Sequence, residues 1–347
     1  MKLSKTIKIL ATLLLPIFIA AAVFGAGYDR AGTASGQQLL IPVGARSIAM
    51  GGADLATVTG VDAIYWNPAG IARAGYSANA MFSNTSYLAD ISVNYAAVDA
   101  SLFGFGHFAF SLKSLNFGEI PITTADNPDG TGGTFSPAFF VGTMSYSRML
   151  TDRIAVGATA KLVSEQIERV GASGVAFDAG VQYANFADVR GLDVGVSVKN
   201  VGPAMRYDGP GLLRQGDVSG ANRPPGQYKI NAAAFEMPSY FDIGVSYRIP
   251  FAQNALSVNY LFRNNNFMYD QSVVGAELQL FDMVFVRGGY DYLMGAGDNP
   301  NASIFGPTVG AGFRYSFGNT TLNLDYAYQM MDFFTNQHTL AFSLGFK

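Results

Sequence analysis

The sequence predicts an all-β fold, a transmembrane antiparallel β-barrel of about fourteen strands with an N-terminal plug segment. Three observations lead there. From residue 77 onward, apolar residues alternate with small or polar ones in pulses of roughly ten, the length of a tilted membrane strand. The 347 residues are 49% hydrophobic but only 14% charged. Beyond the N-terminus no apolar run is long enough for a transmembrane helix, so the apolar content must be spread over alternating positions.

The net charge of −3 leaves no basic excess for nucleic acid, and the mean hydropathy of +0.20 is high for a soluble domain. The absence of cysteine rules out disulfides, a thiol nucleophile and a lipoprotein anchor.

Residues 1–26 read as a secretory signal peptide. Lys2, Lys5 and Lys8 form its positive region, Ile9 to Ala22 its apolar run, and Gly25, Ala26 and Gly27 a small-residue cleavage zone. The run is short for a helical anchor. A cut after Gly25, preceded by Val23, competes with one after Ala26, which sets Phe24 at the sensitive position. Residues 27–76 form the plug segment, and residues 77–347 the barrel.

Alternating runs bounded by turn clusters place strands at 77–83, 89–99, 103–117, 135–149, 153–168, 172–185, 191–207, 228–249, 254–265, 269–280, 283–293, 306–317, 320–331 and 336–346. The last is the cleanest: Leu340, Phe342, Leu344 and Phe346 share one face, and Thr339, Ala341, Ser343 and Gly345 the other.

The connections test the count. Gly118 to Thr134, Asp208 to Gln227 and Met294 to Phe305 are long and follow the third, seventh and eleventh strands, so they share one end. Leu150 to Asp152, Pro250 to Gln253, Phe281 to Asp282 and Gly318 to Asn319 are tight and follow even-numbered strands. Outer-membrane barrels have short periplasmic turns and long outer loops. That sets the C-terminus in the periplasm and starts the N-terminal segment in the periplasm or the lumen of a gram-negative-type outer membrane.

Parity assigns faces. Phe241, Ile243, Val245 and Tyr247, then Leu256, Val258, Tyr260 and Phe262, then Leu322, Leu324, Tyr326 and Tyr328 point to lipid. Tyr290, Tyr292 and Tyr328 suit an interfacial girdle. The opposite parity carries Asp242, Arg248, Glu277, Arg287, Asp291, Arg314 and Asp325. A lysine or arginine at the midplane of the lipid face costs about 2–4 kcal/mol, which keeps charge inside. These inward charges admit two readings: a lumen that binds or conducts a polar solute, or a ladder that stiffens the wall. Glu277, Arg287, Arg314 and Asp325 fall on four successive strands with an acid flanking each arginine, the pattern of a ladder.

The densest motif precedes the barrel: Gly44-Ala45-Arg46-Ser47-Ile48-Ala49-Met50-Gly51-Gly52-Ala53, then Tyr65-Trp66-Asn67-Pro68-Ala69-Gly70. Asn67 before Pro68 favours an extended or turn conformation. Gly51-Gly52 interrupts helical periodicity, although Ser47 to Val58 still has room for a short helix. Trp66 is the only tryptophan. This segment resembles that of the PorV/PorQ family of outer-membrane proteins, which is itself similar to the FadL-type transporters of hydrophobic compounds. The resemblance implies a non-enzymatic component of type IX-type protein secretion or surface attachment, with secretion-machinery subunits and cargo proteins as partners beside membrane lipid. Its alternative is transport of long-chain fatty acids or other hydrophobic compounds. In FadL-type proteins the Asn-Pro-Ala element belongs to an N-terminal hatch, so Trp66, Asn67, Pro68, Ala69 and Gly70 are the implied plug or gate residues. A structural turn fixing the plug to the wall is the other reading of Asn67 to Gly70.

Enzyme motifs are scarce. His107 and His338, the only histidines, are far apart in sequence, and no metal or cofactor is expected. Asp126 to Gly130 and Gly297 to Asn301 offer oxygen ligands but depart from the EF-hand spacing and read as solvated turns. Gly104-Phe105-Gly106 lacks the strand-helix context of a nucleotide loop. A plug within fourteen strands also leaves little bore for a general porin.

Overall fold

The computed structural model describes residues 30–102, 104–216, 226–296 and 303–347. The signal peptide, Phe103, residues 217–225 and the Gly297 to Asn301 loop lie outside them. Fourteen strands close into one antiparallel barrel. They are β1 Ala78–Ser86, β2 Ser92–Leu102, β3 Gly106–Asn116, β4 Ala138–Met149, β5 Ile154–Ile167, β6 Val170–Tyr183, β7 Leu192–Val201, β8 Tyr240–Phe251, β9 Asn254–Asn265, β10 Asp270–Leu280, β11 Val284–Met294, β12 Phe305–Phe317, β13 Thr320–Met331 and β14 Gln337–Phe346. Each pairs with its sequence neighbours, and β1 closes on β14 from Ala78↔Phe346 to Ser86↔His338.

Alternation sorts the faces as expected. On β3, Phe110 and Leu112 are 52% and 47% exposed while Ser111 and Lys113 are buried. Among the described residues no helix is long and apolar enough to cross a membrane. The wall is made of strands, whose backbone groups pair within the closed sheet.

The expected seventh and eighth strands run too far. Residues 202–216 and 226–239 instead form an arm at the long-loop end, in which Met205–Arg206 pairs with Ala234–Phe235 and Leu213–Gly216 with Gly226–Lys229. A hairpin outside the bilayer keeps the same two-residue period, so alternation alone does not mark where the barrel stops.

The plug fills the lumen with short turns: Gln37–Leu39, Ala45–Ile48, Gly60–Asp62, Ala63–Trp66 and Pro68–Arg73. The helix expected within Ser47 to Val58 shrinks to Ala45–Ile48, because Gly51 and Gly52 take φ of +66° and +82°. Nor does the described plug begin at the short-turn end. Arg30 donates to Asn266 at 3.1 Å and to Glu236 at 2.8 Å, beside the long connections. The segment then crosses the barrel to Ser77, whose N–H donates to Phe346 O at 2.7 Å at the short-turn end.

Candidate functional site in the plugged lumen

The plug docks on opposite walls through glycines that leave room for its backbone. On one side, Asn67 is fully buried. Its Nδ2 donates to Leu55 O at 3.1 Å and Val181 O at 3.2 Å, and its Oδ1 accepts from Ala69 N at 3.2 Å, capping the turn that begins at Pro68. A Cβ on Gly180 would lie 2.1 Å from Asn67 Oδ1, and one on Gly157 2.3 Å from the Pro68 carbonyl carbon. Ala69 O accepts from Ser147 Oγ at 2.9 Å, and a Cβ on Gly70 would meet Val58 O at 2.1 Å. Trp66 Nε1 donates to Val43 O at 3.0 Å, and its ring lies over Gly52. Asn67, Pro68 and Ala69 therefore lie in the joint between plug and wall, while Trp66 and Gly70 pack within the plug behind it.

On the other side, Met50 and Gly51 press on Gly275 of β10 and Gly289 of β11, where added Cβ atoms would fall 2.6 Å from Met50 O and 2.2 Å from its carbonyl carbon. Thr308 Oγ1 donates to Ala49 O at 3.1 Å. The wall changes at this point. Pairing between β11 and β12 runs from Val284↔Phe313 to Gly289↔Thr308 and stops, although β11 continues to Met294 and β12 begins at Phe305. Pro307, which has no N–H to donate, lies in the unpaired stretch, and β12 bulges against β13 between Phe305 and Thr308. Phe305 stacks on Tyr87 of the β1–β2 connection, 6.5 Å between centroids.

Three members of the expected ladder meet: Arg287 Nε–Glu277 is 2.7 Å and Arg287 Nη1–Asp325 is 2.5 Å. Arg287 reaches Asp325 across Gly312, where any side chain would collide with both. Arg314 does not join. Its register partner is Asn323, to which its Nε donates at 2.9 Å, and its Nη1 lies 3.5 Å from Asp282. Arg46 of the plug takes the fourth place, with Nε and Nη2 3.2 and 3.3 Å from Glu277. The Glu277 carboxylate holds the Arg46 guanidinium above its ordinary pKa. Asp62, beside this network, is pushed up to about 7 by burial and by repulsion from Asp325. A polar cavity of about 50 Å³, lined by Arg46, Asp62, Arg287, Arg314 and Asp325, opens on this half of the lumen.

The other predicted charges are placed singly. Asp242 is held by Arg263 at 2.8 and 3.0 Å, Asp291 accepts from Gln271 Nε2 at 2.5 Å, and Arg248, exposed near the short-turn end of the same inward parity, donates to Gln279 Oε1 at 2.8 Å. Tyr290 and Tyr292 lie exposed on the outer wall, while Tyr328 packs on His338. His107 pairs with Asp99 near the short-turn end, so the two histidines stand at opposite ends of the barrel.

Parity on the early strands, not followed in the sequence, would have found a second buried cluster. Lys113 donates to Ile41 O at 2.8 Å, Lys161 sits 2.6 Å from Asp178, and Lys199 donates to Tyr65 O. Lys113 and Lys199 also face the Tyr65 ring at 4.7 and 4.1 Å. Beside this cluster Leu39 packs on Val141, Val163, Ala176, Met205 and Met237, Val141 being the register partner of Lys113. No sequence motif marks Leu39.

The fold is shared with solved hydrocarbon channels. The chain is similar to the solved structure of the CymD monoaromatic hydrocarbon channel, at TM-score 0.56 and 14% identity over 89% of this chain and 98% of that one. It is likewise similar to the toluene transporter TodX of Pseudomonas putida, at TM-score 0.57 and 14% identity over 87% and 97%. No family model matches the chain, and no curated protein matches it.

Proposed function

We propose that this chain is a non-enzymatic outer-membrane transporter of hydrophobic compounds. One observation carries the reading. In a barrel of the fold shared with hydrocarbon channels, Leu39 of the plug packs below the long loops on an apolar cluster of Val141, Val163, Met205 and Met237. Methionine-rich apolar linings adapt to ligands of varied shape. The Arg46–Glu277–Arg287 network bonds the plug, as do Lys113 and Lys199, so these charges serve to seat it. The unpaired β11–β12 stretch supports a side route from the lumen toward the bilayer. Trp66 to Gly70 acts in this reading as the hinge about which the plug is held. The likeness to hydrocarbon channels favours transport over a role in protein secretion. Cells lacking the protein should take up an apolar compound such as toluene more slowly than cells with it restored. Equal uptake would overturn the reading, and recovery of secretion-machinery subunits with the purified protein would favour the secretion role.

A further inference from the structure

A small cavity lies where the early strands meet the plug. Leu39, Ile64 and Tyr65 of the plug cover it, and the polar side chains of Tyr95, Ser111, Lys113, Thr143 and Lys161 line its wall. Register brings these five together: Tyr95 of β2 stands opposite Lys113 of β3, while Ser111, Thr143 and Lys161 form one row across β3, β4 and β5. Among the described residues no carboxylate borders the cavity. Its volume of about 10 Å³ suits one particle the size of a water.

Every polar group of the lining has a proton to give. Lys113 Nζ donates to Ile41 O at 2.8 Å, and Lys161 Nζ to Asn200 Oδ1 at 2.7 Å beside its 2.6 Å ion pair with Asp178. An ammonium carries three N–H donors, so among the described residues Lys113 keeps two in hand and Lys161 one. The Ser111 and Thr143 hydroxyls are 2.6 Å apart; whichever donates within the pair, the other's proton is left for a third group. Tyr95 is 3% exposed, and its hydroxyl has no hydrogen-bond partner.

Charge is out of balance in the same place. Lys113, Lys161 and Lys199 are all buried, but of the carboxylates around them only Asp178 pairs with a lysine. Asp242 is held at two points by Arg263, and Glu165 accepts from the Gly36 N–H and the Tyr207 hydroxyl. Lys113 and Lys199 rest on the Ile41 and Tyr65 carbonyls and on the Tyr65 ring. A buried cation without a counter-charge is costly.

We infer that this cavity binds a single monatomic anion, chloride in a saline medium, between Lys113, Lys161 and the Tyr95 hydroxyl. Size excludes phosphate, sulfate and carboxylates, and a water would bring no charge to offset the lysines. The plug closes the cavity, so the anion is held only while the plug is docked and stabilises that state. What the barrel transports has no bearing on the site.

The test uses the full chain in detergent micelles, with sodium chloride, bromide or gluconate at one ionic strength; gluconate is too large to enter. Plug release in urea, followed by Trp66 emission, should need more urea in chloride than in gluconate. Once the site is mostly filled, each tenfold rise in chloride should favour the docked plug roughly tenfold, the slope of one bound ion. Tyr95→Phe removes a hydroxyl that no protein group uses. Its midpoint in gluconate should therefore match that of the unaltered protein, while its chloride response weakens. Crystals grown in bromide should show anomalous scattering between Lys113 and Lys161. A water alone at that place, equal midpoints in chloride and gluconate, or a chloride response that Tyr95→Phe leaves intact would each overturn the inference.

Discussion

Arg46 of the plug and Glu277 of β10 form a two-point ion pair, at 3.2 and 3.3 Å, while Glu277 also accepts from Arg287 at 2.7 Å. One carboxylate thus joins the plug to the wall and the wall strands to each other. Removing the plug's half should leave Glu277 and Arg287 together and free the plug. Arg46→Met is expected to cost about 3–5 kcal/mol of plug docking, the loss typical of breaking a buried pair. Urea titration followed by Trp66 emission should show an early transition absent from the unaltered protein. A single unchanged transition would contradict it.

Asp62 makes that docking depend on pH. Its pKa is raised to about 7, so from about pH 4 to 7 the docked plug keeps a proton that the released plug gives up. Docking is therefore strongest at the acid end of this window, weakens as pH rises through it and levels off above about 7. Asp54, raised in the same direction by burial, adds to the slope. The urea midpoint for plug release should fall between pH 5 and pH 8, and Asp62→Asn should reduce that fall.

Gly289→Val should push Met50 and Gly51 off the β11 wall, because even a Cβ there would sit 2.2 Å from plug backbone. An overpacked contact of this kind costs about 1–3 kcal/mol. The barrel should stay folded, as judged by heat-modifiable migration on gels, while trypsin cuts the plug faster. Equal protection of the plug would show that the contact does not hold it.

Asn67→Ala removes one acceptor and two donated bonds at a fully buried position. Leu55 O keeps its bond from Gln182 Nε2 at 2.9 Å, but the Ala69 N–H loses its acceptor and Val181 O a donor, which should cost about 1–3 kcal/mol. Thermal unfolding of the purified barrel should show a lower plug transition, and Asn67→Asp should not rescue it, since a carboxylate cannot donate to either carbonyl.

A disulfide between Tyr290→Cys and Pro307→Cys would close the stretch where β11 and β12 lose their pairing. Toluene uptake should drop when it forms and recover on reduction. A disulfide between Gly288→Cys and Val309→Cys, within the paired half of the same seam, should leave uptake unchanged.

All fourteen strands could be read from the sequence because a wall between lipid and lumen imposes the two-residue period at nearly every position. The spans 254–265 and 320–331 coincide with β9 and β13. The arm at 202–216 and 226–239 could not be separated, since pairing beyond the bilayer obeys the same period. Within the site, same-face charges on neighbouring strands predicted Glu277, Arg287 and Asp325 together. Arg314 departs because it stands opposite Asn323, while Gly310 is opposite Arg287, a register that no single strand reveals. Arg46 and Leu39 lie in a plug without periodicity, so nothing local announces that one completes the ladder and the other fills the apolar cluster.

The plug's course from Arg30, among the long connections, to Ser77, at the opposite end, makes the molecule a threaded object. The tie of Arg30 at the long-loop mouth is a pair of side-chain hydrogen bonds, whereas at Ser77 the segment runs on into the wall, so it can withdraw along the axis while the pairing of Ala78 with Phe346 stays closed.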